Sequence, residues 1–264
     1  MNFPLFFKTT KIFIIIFFIF QNIEFLHSSE NLKQKKLKEN MEIKSLVCEY
    51  LNNPIGIDVE KPRLSWKIFS DEENLLQTSY EIRFAESIED LNASKELFYS
   101  TGKVISDKSI NVVYEGPALK SFQRLYWQVR VWDNKNRVSN WSEPAFWEMG
   151  ILKPELWEAL WITNPSEPIT DNSKPCPYFR KNFYLSKKIR SARIYVTSLG
   201  LYQLFLNGKK VSEDLFTPGW TSYNKRLQYQ VYDVANLLNE GENAIGVILG
   251  DGWYRGRLTW DENK

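Results

Sequence analysis

A short loop near the end of the sequence carries its densest set of residues that could recognise a ligand. Residues 250–256 read Gly-Asp-Gly-Trp-Tyr-Arg-Gly, and four of them have ligand-binding side chains: Asp251, Trp253, Tyr254 and Arg255. An aromatic ring offers an apolar face to the C–H groups of a sugar, and carboxylate and guanidinium groups can bond its hydroxyls. The loop therefore has the chemistry of a carbohydrate-binding site.

A second aromatic stretch, "TPGWTSY", could contribute to the same surface through Trp220 and Tyr223. The alternative is that Trp220 and Trp253 pack in a core or between domains, because large aromatic side chains are more often buried than used as ligand platforms. The glycines of the loop would then serve only its turn geometry. Both interpretations fit the sequence.

Carboxylates that could work as an acid and a base are poorly placed for that chemistry. The candidates are neighbours in a strand or turn, or lie far apart along the chain: Asp58 with Glu60, Glu72 with Glu73, and Asp214 with Asp233. Adjacent strand residues point to opposite faces, and surface carboxylates are usually solvated. We therefore predict no catalytic residue within this sequence.

Metal and cofactor chemistry have no sequence support either. His27, the single histidine, lies near the amino terminus, so His-based triads and His-rich metal sites are not expected in the rest of the chain. The glycine-rich loop 250–256 follows a predicted strand, but no helix is predicted after it, and it fails the dinucleotide-binding pattern. We predict no cofactor and no metal.

The amino terminus has the pattern of an export signal. Lys8 and Lys11 precede the apolar run 12–20, which is long enough for a signal-peptide core and too short for an ordinary membrane span. The small-residue cleavage pattern is poor, so residues 1–29 are predicted to be either a signal peptide or an amino-terminal anchor. This segment predicts a secreted, periplasmic or cell-surface protein with no other membrane contact.

Residues 30–41 are predicted to be a polar linker, and they contain the lysine cluster at residues 31–40. The cluster lacks the periodicity of a helix or strand, and the net charge of the chain is only +2. These features give no indication of a nucleic-acid partner.

The remaining sequence predicts an all-β chain with two domains. Its 264 residues are 43% hydrophobic, and the 15% aromatic content favours strands. In residues 42–150, apolar residues alternate with polar ones around positions 64–68, 80–84, 110–114 and 125–131. Turn signals separate these segments, which predicts an antiparallel sandwich of about seven strands.

The second domain is predicted over residues 151–264. Strand patterns resume at Phe179, and Asn207-Gly208 is a strong hairpin signal because both residues tolerate a positive φ. A short helical or turn element is predicted at 235–239, followed by a reversal and a buried strand at 244–249. Cys48 and Cys176 fall in different domains and are expected to be buried free thiols.

These blocks resemble known families. The strand "YWQVRVWD" and the segment "VSNWSEPAFWEMG" are similar to a fibronectin type III or immunoglobulin-like domain, although the Trp141–Ser142 pair could also mark a protein-binding surface. Residues 180–211, 216–238 and 241–256 follow one another as in the amino-terminal jelly roll of bacterial-type alpha-L-rhamnosidases, a domain with a galactose-binding-like fold. The resemblance covers about residues 42–260, and the jelly roll looks incomplete.

The resemblance implies a glycoside hydrolase that releases terminal alpha-L-rhamnose with inversion, using two carboxyl groups about 6.5–9.5 Å apart. In the family these groups lie in a helical (α/α)6 barrel, and the present sequence contains no such pattern. The expectation is therefore an amino-terminal fragment, inactive alone, whose substrates would be rhamnose-containing glycans. The alternative is an exported, non-catalytic carbohydrate-binding protein.

Overall fold

The computed structural model describes residues 41–164 and 175–256, and the predicted signal segment lies outside these ranges. Internal contacts divide the chain into two units at 148/149, which we call unit 1 and unit 2. Both units are built mainly from antiparallel strands, which confirms the predicted fold class. Within the described residues, no helix is long and apolar enough to cross a membrane.

From residue 41 onward, where the structure describes it, unit 1 has nine strands rather than about seven, and four of them are only two or three residues long. They form one sheet in the order β1-β3-β7 and another in the order β2-β9-β8-β4-β5, with β6 paired to β4. One helix, α1, occurs among the described residues of unit 1 and spans Ile88–Ala93. The strands are β1 Met41–Cys48, β2 Ile55–Ile57, β3 Arg63–Ser70, β4 Gln77–Ala85, β5 Tyr99–Ser100, β6 Val104–Ile105, β7 Val112–Val113, β8 Arg124–Asp133 and β9 Ala145–Met149.

The alternating pattern identifies the buried faces of the long strands of unit 1. All four predicted inward residues of β8 are completely buried: Leu125, Trp127, Val129 and Val131. The prediction was wrong at Ile110, which is 66% exposed. It lies two residues before β7, and the intervening Asn111 has a positive φ of 54°, so the regular alternation of an extended strand does not continue through Ile110.

Three tryptophans form the centre of the unit 1 core. Trp66, Trp127 and Trp147 are each at most 2% exposed. The Trp66 indole N–H donates to Gln77 Oε1 at 3.0 Å. This hydrogen bond matters because a buried N–H without a partner would destabilise the fold. Phe84 packs edge-on against Trp147 with ring centroids 5.8 Å apart. Trp66 of β3 also packs edge-on against Tyr80 of β4 at 5.3 Å, so the Trp66 contacts join the two sheets, whereas Phe84 and Trp147 pack within one sheet.

The Trp141–Ser142 pair contributes to the packing of unit 1. The Trp141 ring lies 4.2 Å from the Arg83 guanidinium and 4.6 Å from that of Arg130. Ser142 Oγ accepts a hydrogen bond from the Val129 amide of β8 at 3.1 Å. Cation–π contacts and main-chain bonding thus account for both residues.

Unit 2 contains a four-stranded sheet in the order β10-β15-β12-β13 and a two-stranded sheet of β11 and β14. Short 3₁₀ turns lie at Pro154–Leu156 and, as predicted, at Ala235–Leu237. The elements are β10 Tyr178–Leu185, β11 Arg193–Val196, β12 Leu201–Leu206, β13 Lys209–Lys210, β14 Gln230–Asp233, β15 Gly241–Gly250 and α2 Gly252–Arg255.

The hairpin predicted at Asn207-Gly208 is confirmed. It joins β12 to β13, and both turn residues have positive φ, 51° and 78°. The predicted strand 244–249 is also present, but it begins at Gly241 and its inward residues Val247 and Leu249 are only half-buried. The strand was expected to be buried. Among the residues that the structure describes in unit 2, two strands form the opposite layer, and β15 is only partly covered.

The two cysteines differ in their surroundings. Both are free, as expected, but only Cys48 is buried. Burial raises the pKa of the Cys48 thiol to about 12. The expectation of burial was wrong for Cys176, which lies two residues before the edge strand β10 and is exposed.

Candidate functional site

Close backbone contacts fix the loop that follows β15. Gly200 has a φ of +91°, and a Cβ there would lie 2.3 Å from the carbonyl oxygen of Gly250. Gly252 has a φ of +50°, and its Cβ would lie 2.6 Å from Leu201 Cγ. Two glycines thus allow the end of β15 to pass close to the start of β12. The chain then forms the one-turn helix α2 within the loop itself.

Hydrogen bonds hold the loop between β13 and β14 against the sheets. Tyr232 Oη donates to Asp214 Oδ2 at 3.0 Å, and Gln230 Nε2 donates to the Pro218 carbonyl at 3.1 Å. The buried Tyr202 hydroxyl donates to Gln230 Oε1 at 2.8 Å. Burial of Tyr202 raises its pKa well above the usual range, so it stays a neutral donor. This network positions the segment that carries Trp220.

Three aromatic side chains meet at this end of unit 2, and we call them the aromatic platform: Phe216, Trp220 and Trp253. The Trp220 and Trp253 rings are parallel within 3°, with centroids 5.8 Å apart. Phe216 lies 5.9 Å from Trp253 at a tilted angle. Phe216 and Trp220 are 66% and 63% exposed, so neither is a core residue of unit 2.

The charged residues of the loop form an ion pair on α2. Arg255 Nη2 lies 2.8 Å from Asp251 Oδ1, and Arg255 Nε donates to the same oxygen at 3.1 Å. Both side chains are more than 40% exposed. Tyr254 is 45% exposed and packs edge-on against Tyr223, with ring centroids 5.4 Å apart.

The structure therefore places Trp220 against Trp253 and Asp251 against Arg255. The sequence alone did not determine either contact. The sequence did not indicate Phe216 as a site residue, although it lies only four residues before Trp220. Its exposure results from the position of the hydrogen-bonded loop that carries it. Flat apolar faces next to hydrogen-bonding groups can hold a polar ring such as a sugar. The same residues do not provide a separate acid and base.

The carboxylates considered for catalysis have structural partners or lie on the surface. Glu72 pairs with Lys135 and Arg137, and these hydrogen bonds lower the pKa of its carboxyl, the opposite of what a general acid needs. Asp233 lies 3.0 Å from Arg193. Asp58, Glu60 and Glu73 are exposed. No group of three metal-ligating side chains occurs within 41–164 and 175–256.

Comparison with known protein families assigns both units. Residues 43–153 match the model of a Rha78A-like, N-terminal immunoglobulin domain, and residues 187–264 match the alpha-L-rhamnosidase N-terminal domain. The first match accounts for the immunoglobulin-like sandwich of unit 1. The second includes the hairpin, the tethered loop and the aromatic platform.

Curated relatives show the same relationship. An alpha-L-rhamnosidase of Formosa agariphila is 36% identical over an alignment of 247 residues, and the match covers 86% of this chain and 26% of the relative. One of Alteromonas sp. (strain LOR) is also 36% identical, over 81% of this chain and 24% of its own length. The chain thus spans about a quarter of the length of these relatives.

Solved structures agree with the sequence comparisons. The structure of alpha-L-rhamnosidase from Dictyoglumus thermophilum superposes with a TM-score of 0.75 at 39% identity, covering 81% of this chain and 25% of that one. The alpha-L-rhamnosidase of Aspergillus terreus gives a TM-score of 0.75 at 31% identity, covering 85% and 25%.

These matches define the class first: an immunoglobulin-like domain followed by a second β-domain, as found at the amino terminus of glycosidases. The chain carries two domains of the alpha-L-rhamnosidase family: residues 43–153 match the Rha78A-like, N-terminal immunoglobulin domain, and residues 187–264 match the alpha-L-rhamnosidase N-terminal domain.

Proposed function

We propose that this chain is the amino-terminal, non-catalytic part of an alpha-L-rhamnosidase that releases terminal alpha-L-rhamnose from rhamnose-containing glycans. The observation that carries the proposal is the ordered pair of family domains, matched at 34–36% identity by proteins named alpha-L-rhamnosidase. Hydrolysis would be inverting and would use carboxyl groups outside residues 1–264.

The surroundings of the described carboxylates support the proposal that this part of the protein is non-catalytic. Inverting hydrolysis needs an acid and a base about 6.5–9.5 Å apart on either side of the glycosidic bond. Glu72 and Asp233 are held in ion pairs on strand ends and turns. Asp251 is likewise bonded to Arg255 on the surface of unit 2. No two of these three carboxylates form an acid and base pair that faces a common pocket.

Activity tests the proposal directly. The 264-residue chain should not hydrolyse p-nitrophenyl alpha-L-rhamnoside, whereas a chain extended through the polypeptide that follows in the gene should. Hydrolysis by the short chain that is abolished by Asp251→Ala would instead make the loop 250–256 an active site. An extended chain that folds but cleaves no rhamnoside would contradict the proposed activity.

We also propose that the aromatic platform and its neighbours Asp251, Tyr254 and Arg255 contact the sugar substrate. Trp220 and Phe216 are exposed by two thirds of their surface and are held by a tethered loop, so they can bind without reordering. In the extended enzyme, Trp220→Ala should raise KM and leave kcat nearly unchanged. Tyr184→Ala is the matched control, since Tyr184 is an equally exposed aromatic residue of β10.

A non-catalytic carbohydrate-binding role is the second candidate, favoured by the same exposed platform. It requires saturable binding of L-rhamnose or rhamnosylated glycans by the 264-residue chain itself. Binding lost in Trp220→Ala, together with an extended chain that is inactive, would favour this candidate. Absence of binding at about millimolar ligand, an affinity of roughly −4 kcal/mol, would remove it.

We propose further that the protein is exported to the periplasm, the cell surface or the medium. The support is the sequence pattern of Lys8, Lys11 and the apolar run 12–20. Fractionation of the native host, with amino-terminal sequencing of the mature protein, tests export and identifies the processing site. Recovery of the unprocessed protein only in the cytoplasm would contradict it.

A further inference from the structure

The outer face of the four-stranded sheet in unit 2 has a glycine where the middle of a strand normally carries a side chain. Gly246 lies in the middle of β15, which is hydrogen-bonded to β10 on one side and to β12 on the other. Arg180 of β10 and Phe205 of β12 lie directly opposite it, so the three residues form one row across the sheet. Because side chains alternate along a strand, this row lies on the face opposite to that of Leu204 and Val247.

The local backbone does not require a glycine at position 246. Its φ is not in the positive range, and an added Cβ would make its nearest contacts at 3.8 Å with the Phe179 carbonyl oxygen and at 3.9 Å with Phe205 Cβ. Glycine weakens the interior of a strand, because it has no side chain to pack and loses much conformational entropy on folding. A strand glycine that the backbone does not need is typical of a place where a ligand approaches the main chain closely.

The missing side chain opens a groove of about 330 Å³ on the outer face, and we call it the sheet groove. β15 contributes Gly246 and Ala244 to its floor, while Tyr178 and Arg180 of β10 line one side and Phe205 of β12 lines the other. Neighbouring strands are about 4.8 Å apart, so these two sides are separated by roughly 10 Å, which leaves room for one six-membered ring. The volume is at the small end of the range for ligand pockets.

The side chains around the sheet groove combine aromatic faces with an available cation. Tyr178 is 77% exposed, and Phe205 is half-buried. Arg180 is exposed and has no hydrogen bond or ion pair with any residue that the structure describes. Lys210 of β13 extends the row beyond Phe205, but its ammonium group is paired with Glu213 at 3.0 Å. Aromatic faces pack against the C–H groups of a sugar ring, and a guanidinium group can bind a carboxylate through two parallel hydrogen bonds.

We propose that the sheet groove binds an acidic pyranose, a sugar ring that carries a carboxylate. The ring lies over Gly246, its C–H groups pack against Tyr178 and Phe205, and its carboxylate bonds to the Arg180 guanidinium. This site is separate from the aromatic platform, since no residue of the platform lines the groove. The binding does not depend on hydrolysis, because every residue that it uses lies within the 264-residue chain.

Isothermal titration calorimetry of the 264-residue chain with methyl α-D-glucuronide tests the site. Methyl α-D-glucoside is the matched ligand, because it has a hydroxymethyl group in place of the carboxylate. We expect saturable binding of the glucuronide and at least about tenfold weaker binding of the glucoside, which lacks the charge-assisted hydrogen bonds to Arg180. Added salt should weaken the binding of the glucuronide, because it screens the exposed charges.

Two variants locate the ligand in the sheet groove. Gly246→Val fills the floor, so it should abolish glucuronide binding, yet it should melt no lower than the wild type because valine is favoured in strands and the added Cβ has room. A merely structural glycine would give a lower Tm. Arg180→Gln should weaken glucuronide binding at least about tenfold. Lys181→Gln is the matched control, since it removes the same charge from the next residue of β10, which lies on the opposite face, and it should bind normally.

Four results would overturn the inference. The first is the absence of saturable glucuronide binding, and the second is equal affinity for glucuronide and glucoside. The third is full binding by a folded Gly246→Val chain, or by Gly246→Ala if the valine variant does not fold. The fourth is an equal loss of binding in Arg180→Gln and Lys181→Gln, which would indicate general charge attraction. Trp220→Ala should leave glucuronide binding unchanged, and its loss in that variant would instead assign the ligand to the aromatic platform.

Discussion

Units 1 and 2 use the same alternating sequence pattern with different results. In unit 1, the inward residues of β8 are fully buried under a second sheet, and Trp66, Trp127 and Trp147 fill the space between the layers. Among the described residues of unit 2, burial is deepest on β12 and at a few neighbouring positions, while most of β15 is half-buried. Alternation along a strand therefore predicts which face is apolar, but not whether another layer covers it.

The difference has an energetic consequence. Hydrophobic stabilisation is roughly proportional to the apolar area removed from water, about 25 cal/mol per Å². Unit 1 removes almost all of its large inward side chains from water, whereas unit 2 leaves Val247, Leu249 and Phe179 partly hydrated. We expect unit 2 to be the less stable unit in the 264-residue chain.

Truncating core side chains should give the largest effects and the sharpest contrast between the units. Trp127→Ala removes a completely buried ring and should destabilise unit 1 by about 3–5 kcal/mol. Val247→Ala removes a half-buried side chain and should cost unit 2 less than about 1.5 kcal/mol. Urea unfolding followed by circular dichroism measures both, provided that the two transitions are assigned with the separate units. Equal losses would show that the core of unit 2 is as well packed as that of unit 1.

A glycine substitution should have the next largest effect. Gly200→Ala brings a Cβ to 2.3 Å from the Gly250 carbonyl oxygen in addition to an unfavourable φ, so it should cost more than about 2 kcal/mol. Gly208→Ala is the matched control, because its φ is also positive but no atom lies within 4 Å of the added Cβ. In thermal melts of unit 2, the Tm of Gly208→Ala should be well above that of Gly200→Ala. The reverse order would contradict a close contact between the two backbones.

The same contrast shows how far the sequence could predict the molecule. The strand faces of unit 1 and the Asn207-Gly208 turn followed from local rules, because side-chain alternation and positive φ depend on neighbouring residues. The half-burial of β15 depends on how far the opposite layer covers it, and no local sequence pattern describes that layer. The contact between Trp220 and Trp253 depended on two loops more than thirty residues apart, and it needed Gly200 and Gly252 to bring the backbones together.

The two thiols should differ in reactivity and in their response to pH. Cys176 should react quickly with a disulfide reagent, and Cys48 only when unit 1 unfolds, because burial raises the pKa of Cys48 to about 12. The thiol is protonated in the folded state and ionises more easily when unfolded. Its contribution to stability is therefore complete below the unfolded pKa, near 9, and is lost as the pH rises toward 12. Cys48→Ala should flatten this loss in pH-dependent urea titrations, and an unchanged profile would assign the loss to other groups.

The smallest effects should come from ion pairs, and two of them extend the comparison to the surface. In unit 1, hydrogen bonds from Arg63 lower the pKa of Glu49, whose side chain is 11% exposed. Because its pKa is lower in the folded state, the Glu49 carboxylate stabilises the fold at pH values above the ordinary pKa of Glu. This stabilisation is lost as the pH falls through the folded pKa, so Glu49→Gln should lower Tm at pH 7 and reduce the acid sensitivity of unit 1.

In unit 2, Asp251 and Arg255 are both more than 40% exposed, and Asp251→Asn should change the stability by about 0.5 kcal/mol or less, an effect that added salt removes. If Asp251→Asn instead destabilised unit 2 as much as Glu49→Gln destabilises unit 1, the ion pair would be a structural clamp of the loop. A negligible change in stability, combined with weaker sugar binding, would mean that its carboxylate is kept at the surface for a ligand.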